Sequence, residues 1–300
     1  MRLRALATLG VLTSCTGAGM TWQGEDPCAL GAPGALWLAF ASRRTGDYDI
    51  YLARSDGTCQ RAVTADAAQD LFPSWAPDGR IAFASDRGGQ LGIWVHDLAA
   101  GTTAPLGVGG LPATSPAFSP DGTLIAFEGR PPGASSKIYL VAAGGGVPVT
   151  LGAAGGDDAG PAWSPDGRTL FFVSTRTGRY DVFAAPAAGG AAVQVTVASR
   201  IVGKPAVSPD GASLYFARTS PGSSATEVVR QDLATGAVAV VTSAGDSEPA
   251  VSPRGDRLAV RSFRSGAADL VLVDALDGGN PFPLTSDAAS DGTPAFLPVP

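Results

Sequence analysis

The sequence predicts an all-β protein, a six-bladed β-propeller of four-stranded antiparallel blades, closed by pairing the C-terminal strand into the N-terminal blade. The main observation is a motif close to Pro-x-x-Ser-Pro-Asp-Gly, which is followed by an apolar run in five copies and begins a sixth time at Pro294. Its first proline stands at Pro73, Pro116, Pro161, Pro205, Pro249 and Pro294, so successive copies are 43 to 45 residues apart. Repeats of about 40–50 residues that are built from short strands are typical of propellers.

Each copy of the motif predicts strand, tight turn and strand, most clearly in residues 161–174. Proline fixes φ, and the glycine two residues later is free to take a positive φ, as a hairpin turn requires. The β-branched and aromatic residues that follow favour a buried strand. We therefore place the first two strands of every blade on either side of this turn.

The first blade lacks a first strand at its own place in the chain. Residues 36–40 match the second strand of the repeat, 47–51 the third and 59–64 the fourth. The missing strand is found at residues 294–298, where a sixth copy of the motif begins. The last strand is thus expected to complete the first blade, which removes open sheet edges.

A second pattern, Ser-x-Arg-x-Gly, joins the second and third strands in four blades. Its arginines are Arg44, Arg87, Arg176 and Arg264, and blades 3 and 5 lack them. We interpret the arginine as structural, bonding turn carbonyls or a neighbouring turn aspartate. The third strands that follow are predicted at 47–51, 92–95, 137–140, 180–183, 226–229 and 269–272.

Composition excludes one class of partner. The 300 residues carry a formal net charge of −6, and the pI is about 4.8. A nucleic-acid partner requires a basic patch that binds phosphates, so no nucleic acid is expected.

The N-terminus predicts export. Residues 1–15 combine a short basic segment, an apolar stretch and Leu-Thr-Ser-Cys, which resembles the bacterial lipobox with Cys15 as the lipidated residue. The alternative is an ordinary cleaved signal with an incidental cysteine. Residues 16–33 are expected to be a tether, and 34–300 the propeller. The absence of an early aspartate after Cys15 favours a lipid anchor in the outer membrane.

Two further cysteines, Cys28 and Cys59, would remain as a pair in an oxidising compartment. A disulfide between them closes a loop of about 31 residues, which the chain-entropy account values at roughly 3–4 kcal/mol. The alternative is two buried free thiols.

The combined pattern of Pro-x-Trp-Ser-Pro-Asp-Gly, Ser-x-Arg-x-Gly and Tyr-Asp-Ile-Tyr resembles the WD40-like (PD40) repeats of the TolB-type propeller family. The resemblance covers nearly everything from Leu36 to Pro298 and implies a six-bladed propeller. The family's periplasmic member has an additional N-terminal domain and is soluble, whereas we expect this chain to lack that domain and to be lipid-anchored. A shared fold does not transfer a role.

Catalytic chemistry has little support. The one histidine, His96, stands near the end of a third strand beside Asp97, a typical surface position. There is no Gly-x-Ser-x-Gly elbow, no His/Cys metal cluster and no EF-hand loop. We therefore predict no catalytic residues, no resident metal and no cofactor.

One acidic group is a candidate binding site. Asp70, Asp158, Asp246 and Asp291 stand three residues before the motif proline, where blades 3 and 5 have Ala113 and Val202. Asp157 and Glu248 lie close by. If these carboxylates surround one channel mouth, their repulsion would be relieved by a cation such as calcium or by a basic peptide. The alternative is that each aspartate closes a turn by bonding backbone N–H groups.

The sequence leaves three functions open. The first is a non-enzymatic envelope scaffold that binds protein or peptide partners at a channel mouth. The second is a calcium-dependent propeller enzyme of the lactonase or lyase kind. The third is a purely structural envelope component.

Overall fold

The computed structural model describes residues 28, 30, 36–152, 155–197 and 200–298. They form six four-stranded antiparallel sheets. From the innermost strand outward, blade 1 consists of β24 (Asp291–Phe296), β1 (Trp37–Ser42), β2 (Asp49–Arg54) and β3 (Arg61–Ala62). Blade 2 consists of β4 (Asp70–Trp75), β5 (Arg80–Ser85), β6 (Gly92–Asp97) and β7 (Thr102–Pro105). Blade 3 consists of β8 (Ala113–Phe118), β9 (Leu124–Gly129), β10 (Lys137–Ala142) and β11 (Val149–Thr150).

Blades 4 to 6 repeat this order. Blade 4 consists of β12 (Asp158–Trp163), β13 (Thr169–Ser174), β14 (Asp181–Pro186) and β15 (Val193–Gln194). Blade 5 consists of β16 (Ile201–Val207), β17 (Ser213–Thr219), β18 (Thr226–Asp232) and β19 (Val238–Thr242). Blade 6 consists of β20 (Ser247–Val251), β21 (Arg257–Ser262), β22 (Asp269–Asp274) and β23 (Phe282–Pro283).

The predicted closure is confirmed. Strand β24 pairs antiparallel with β1, and Phe296 lies opposite Leu38. The fourth strand of blade 1 is shorter than predicted, because only Arg61 and Ala62 pair with β2. An outermost strand bonds to one neighbour only, so less of it is held in the ladder.

The second strand of each blade carries the core. Its central residue is a fully buried phenylalanine in five blades and Val260 in blade 6. The five are Phe40, Phe83, Phe127, Phe172 and Phe216. Because these strands are covered by a neighbouring blade on each face, they read as continuous apolar runs and not as alternating ones. Burying each such ring stabilises the fold by about 2–3 kcal/mol.

The innermost strands are bulged at equivalent places. The residue before the motif proline has a positive φ in five blades, as at Phe72 (55°) and Glu248 (52°). A bulge leaves one residue out of the ladder and turns its side chain away from the sheet. These residues line the central channel.

Strand β16 departs from this pattern by one extra residue. Between two paired positions it has three unpaired residues, whereas β4 has two, and the positive φ falls on Gly203 (77°). In the ladder Ile201 therefore takes the place that aspartates hold elsewhere. The expected equivalence of Val202 with those aspartates, obtained by counting back from the proline, was wrong for this blade.

The hairpin turns contact one another around the ring. A Cβ placed on Gly122, which has a φ of 70°, would lie 3.1 Å from Cδ of Pro77 in the preceding blade. Glycines 167, 211 and 255 approach the turn prolines of their preceding blades in the same way. The turns of blades 2 to 6 thus contact one another in succession at one end of the channel.

Cys28 and Cys59 are joined by a disulfide, with Cα atoms 5.4 Å apart. Both pack against the blade 1 core that contains Trp37 and Ile50. Cys15, the predicted signal peptide and most of the predicted tether lie outside the described residues. Within the described part of the chain, no helix is long and apolar enough to cross a membrane.

Candidate functional site

The central channel contains two cavities. The first, which we call the inner cavity, has a volume of about 420 Å³ and is lined by residues from all six blades. Its lining includes Phe72, Ser115, Glu128, Ala159, Gly160, Val173, Tyr180, Ile201, Val202, Gly203, Lys204, Glu248 and Thr293. Most of this surface is apolar.

The second cavity, which we call the turn mouth, opens where the hairpin turns meet and has a volume of about 440 Å³. It is lined by the six turn prolines, Pro77, Pro120, Pro165, Pro209, Pro253 and Pro298. Aromatic side chains form its walls, and two are fixed across blades. Trp75 Nε1 donates to the carbonyl of Ala295 at 3.1 Å, and Trp163 Nε1 donates to that of Ala117 at 2.9 Å. Lys204 lines both cavities, so they meet at its side chain.

The four predicted mouth aspartates line neither cavity. Asp70, Asp158 and Asp291 begin innermost strands, Asp246 directly precedes one, and all four are completely buried. Each is bound by the arginine of the Ser-x-Arg-x-Gly motif in its own blade. The Nη2-to-carboxylate distances are 2.5 Å for Arg87–Asp70, 2.9 Å for Arg176–Asp158, 2.5 Å for Arg264–Asp246 and 3.2 Å for Arg44–Asp291.

In blades 1, 2 and 4 the serine of the same motif orients the guanidinium. Ser85 Oγ accepts from Arg87 Nε at 2.9 Å, and the flat face of Arg87 lies over Phe83 and Trp94. We call this unit of serine, arginine and buried aspartate the blade clamp. The arginine is therefore structural, as the sequence indicated. The aspartates are separated into different blades and do not converge on a common centre.

A cation site at these residues finds no support in the geometry. Among the residues that the structure describes, no group of three or more His, Cys, Asp or Glu side chains is placed to hold a metal ion. Burial raises the pKa of Asp291, and hydrogen bonds from Ser42 and Thr285 and the charge of Arg44 oppose this. A binding role for the four aspartates stays a prediction.

The other two predicted residues have different surroundings. Asp157 accepts from the backbone N–H of Ser136 at 3.0 Å and lies 3.5 Å from Arg130 Nη2, outside both cavities. Glu248 lines the inner cavity. Its Oε2 accepts from the backbone N–H of Thr293 at 2.6 Å, and its Oε1 is 3.8 Å from Arg261 Nη1.

Sequence reasoning missed Lys204 and Glu128. Lys204 is half-buried, and its amine makes no hydrogen bond or ion pair with any residue that the structure describes. Burial lowers its pKa, and the charge of Glu248 opposes this. Burial raises the pKa of Glu128, and the charge of Arg130 opposes this shift. A signal was present for Glu128, because it interrupts an apolar second strand where blade 2 has Ala84.

The turn aspartates were also missed as a group. Asp78, Asp121, Asp166 and Asp210 are exposed on the turns that surround the turn mouth. A hydrogen bond from Ser119 lowers the pKa of Asp121, and Ser164 and Ser208 do the same for Asp166 and Asp210. The rim of this opening is therefore anionic in blades 3 to 5, whereas in blade 2 Asp78 pairs with Arg80 at 2.8 Å and blade 6 places the exposed Arg254 there.

Comparison with known proteins gives one consistent family. A family model described as the TolB beta propeller domain matches residues 92–249. The Protein TolB homolog of Chlorobium luteolum is 49% identical over 59 residues, 19% of this chain and 14% of the relative. The Tol-Pal system protein TolB of Bordetella pertussis is 29% identical over 111 residues, 36% of this chain and 25% of the relative. The chain thus spans a quarter or less of the length of these curated relatives.

Solved structures agree in fold. The crystal structure of TolB from Acinetobacter baumannii superposes with a TM-score of 0.78 at 24% identity, covering 88% of this chain and 67% of that one. An oligogalacturonate lyase in complex with manganese superposes with a TM-score of 0.54 at 15% identity, covering 79% of this chain and 85% of that one. At these identities both show the fold alone.

Proposed function

The chain belongs to the family of the TolB beta propeller domain, and from this premise we propose that it is a non-enzymatic scaffold of the bacterial cell envelope that binds a protein or peptide partner at a channel mouth. The observation that carries the proposal is the turn mouth. Six prolines and four aromatic residues surround one opening there, on turns that are fixed against each other. Rigid turns that position an apolar opening suit partner binding.

The charge of the rim indicates the partner. The exposed carboxylates of Asp121, Asp166 and Asp210 border an apolar opening, and the chain as a whole carries a net charge of −6. A segment with an apolar anchor and Lys or Arg residues around it complements both features.

The location in the envelope is part of the proposal. The Leu-Thr-Ser-Cys15 segment supports export and a lipid anchor, with the outer membrane as its membrane. The Cys28–Cys59 disulfide accords with an oxidising compartment such as the periplasm. Cys15→Ser should abolish incorporation of radiolabelled palmitate in the producing cell. Incorporation that persists in this variant would refute lipidation at Cys15.

The partner is tested by a pull-down of the protein from its own envelope fraction. The test variant is the triple substitution Asp121→Asn, Asp166→Asn and Asp210→Asn, which keeps the turn hydrogen bonds and removes three rim charges. The control variant is the triple substitution Asp47→Asn, Asp86→Asn and Asp287→Asn, which removes three charges at the opposite end of the propeller. We expect a partner that is captured by the wild type and the control and lost by the rim variant.

Three outcomes would contradict the proposal. A partner that the rim variant captures as well as the wild type would place binding elsewhere. Capture of no partner at all, by any of the three proteins, would favour the purely structural envelope component. A calcium-dependent rise in Tm without a partner would favour the metal-dependent alternative.

A further inference from the structure

The inner cavity has the size and the surface of a small-molecule site. Its volume of about 420 Å³ lies within the range of about 300–1,000 Å³ for small-ligand sites. Phe72, Val173, Ile201, Val202 and Tyr180 supply apolar and aromatic surface from three blades. Such a lining suits a ligand with an apolar body, and the few polar groups of the cavity would determine how that ligand is oriented.

The polar group without a partner is the amine of Lys204. Lys204 directly precedes the motif proline, and it lines the channel as the residues at this position do in the other blades, although the positive φ of β16 falls on Gly203. Burying a cation without a partner costs free energy, because the charge gives up its hydration. An anion that binds beside it in the cavity would offset this cost. Among the described residues, no carboxylate forms an ion pair with this amine.

The carboxylates that line the cavity do not pair directly with the Lys204 amine, so an anion can do so. Glu248 accepts from the N–H of Thr293, and its Oε1 lies 3.8 Å from Arg261 Nη1, so Lys204 shares the charge of this carboxylate with other groups. Burial favours the neutral form of Glu128 by raising its pKa. The phenol of Tyr180 also lines the cavity. Among the described residues, no carboxylate lies within ion-pair distance of the Lys204 amine, and Glu248 acts on it only at longer range.

We propose that the inner cavity binds a small monocarboxylic acid with an aromatic or alkyl body, whose carboxylate pairs with Lys204 and whose body rests on Phe72 and Val202. This site lies inside the channel and goes beyond the proposed partner site at the turn mouth. It needs neither a metal nor a partner protein.

The proposal fixes the direction of a pH dependence. A bound carboxylate stabilises the ammonium form of Lys204, so binding raises the pKa of this amine. Below the pKa of the free protein's amine the affinity is constant. Above it, binding requires proton uptake, and the affinity falls tenfold for each pH unit until the pKa of the bound state is reached. Glu128, Glu248, Arg261 and Tyr180 are the titratable groups that line the cavity or contact its lining.

The test uses the two lysines of the chain, Lys137 and Lys204. Reductive methylation with ¹³C-formaldehyde preserves their charge and gives one resolved NMR signal for each. Phenylacetate and hexanoate are the probes, and phenylethanol is the uncharged control. We expect phenylacetate to shift the Lys204 signal in a saturable way and to raise its pKa by at least one unit, with Lys137 unchanged.

Calorimetry on the unmodified protein gives the second readout. Lys204→Met keeps the apolar stem and should weaken phenylacetate binding at least tenfold, whereas Lys137→Met should leave it unchanged. An unshifted Lys204 signal at saturating probe, or equal binding of phenylethanol and phenylacetate, would overturn the proposal. Phe72→Ala alters a residue that lines the inner cavity and not the turn mouth, so it should weaken phenylacetate binding and leave capture of the partner protein unchanged, which makes failure here distinct from failure of the proposed function.

Discussion

Removal of Arg87 should destabilise the propeller far more than removal of an exposed arginine. Asp70 is completely buried, and Arg87 has a side-chain exposure of 17%. Arg87→Met keeps part of the packing on Phe83 and Trp94 but leaves the carboxylate of Asp70 without its counter-ion. Breaking a buried pair from one side costs about 3–5 kcal/mol. The lower end, about 3 kcal/mol, is expected because Arg87 retains some contact with water.

The reverse substitution should cost less. Asp70→Asn keeps the shape of the buried side chain, and Arg87 retains an ion pair with Asp66 at 3.1 Å. We expect a loss of about 1–2 kcal/mol. The double variant contains no buried carboxylate without a counter-ion. Its free energy of unfolding should therefore exceed the value predicted from the sum of the single effects by about 2 kcal/mol.

The assay is urea unfolding monitored by far-UV circular dichroism. The urea midpoints of the variants are compared, provided that the dependence of the unfolding free energy on urea concentration is the same for each. Arg80→Met is the matched control, because Arg80 pairs with Asp78 at 2.8 Å on the surface, where the carboxylate side chain is 55% exposed. Its loss should stay below about 1 kcal/mol. Equal losses for Arg87→Met and Arg80→Met, or a coupling of zero in the double variant, would refute the clamp as a stabilising unit.

Three further results are expected. His96 is buried, so the expected surface position was wrong. Burial lowers its pKa, with Asp97 opposing, so the unfolded chain binds this proton first and the Tm should fall as pH drops from 7 to 5; His96→Gln should flatten that fall, and an unchanged profile would contradict it. Burial raises the pKa of Asp291, so Asp291→Asn should lose less stability in urea than Asp70→Asn, and a larger loss would be inconsistent with the cause assigned. Reduction of the Cys28–Cys59 disulfide should lower stability by roughly 3–4 kcal/mol, and intact mass with a thiol reagent should find no free thiol at these two positions before reduction.

The blades could be predicted because their signals are local. Each Pro-Asp-Gly turn with its apolar strand is readable within about 14 residues, and the sixth, split copy required only that the same pattern be recognised at Pro294. Strand ends were less accurate, since the extent of an outermost strand such as β3 depends on how much of its one neighbour it can pair with.

The channel could be predicted only in part. Asp70 was expected at a mouth because it lies at the start of an innermost strand, but its burial depends on Arg87, 17 residues later, folding back over it. Lys204 was missed although it directly precedes the motif proline, the position whose residues line the channel in the other blades as well. The sequence does not show that the bulges turn this position toward the channel, so the repeat alone gave no reason to single it out.

The blade clamps also change what an acidic-site experiment measures. Replacing all four buried aspartates by asparagine would leave four arginines without their main partners, and loss of a bound protein would then follow from loss of the fold. The exposed turn aspartates, whose side chains bond within their own turns, permit the test that the buried ones do not.

The pairing of β24 with β1 makes the array of repeats circular. In an open stack of repeats the end units have one neighbour and fray first, so such proteins need capping units. Here every blade is held from both sides, including blade 5, where Ile201 leaves no partner for a clamp. A closed ring has no terminal blade from which unfolding could begin. Breaking the pairing of β24 with β1 would convert this cooperative unit into a linear array of blades with two unprotected ends.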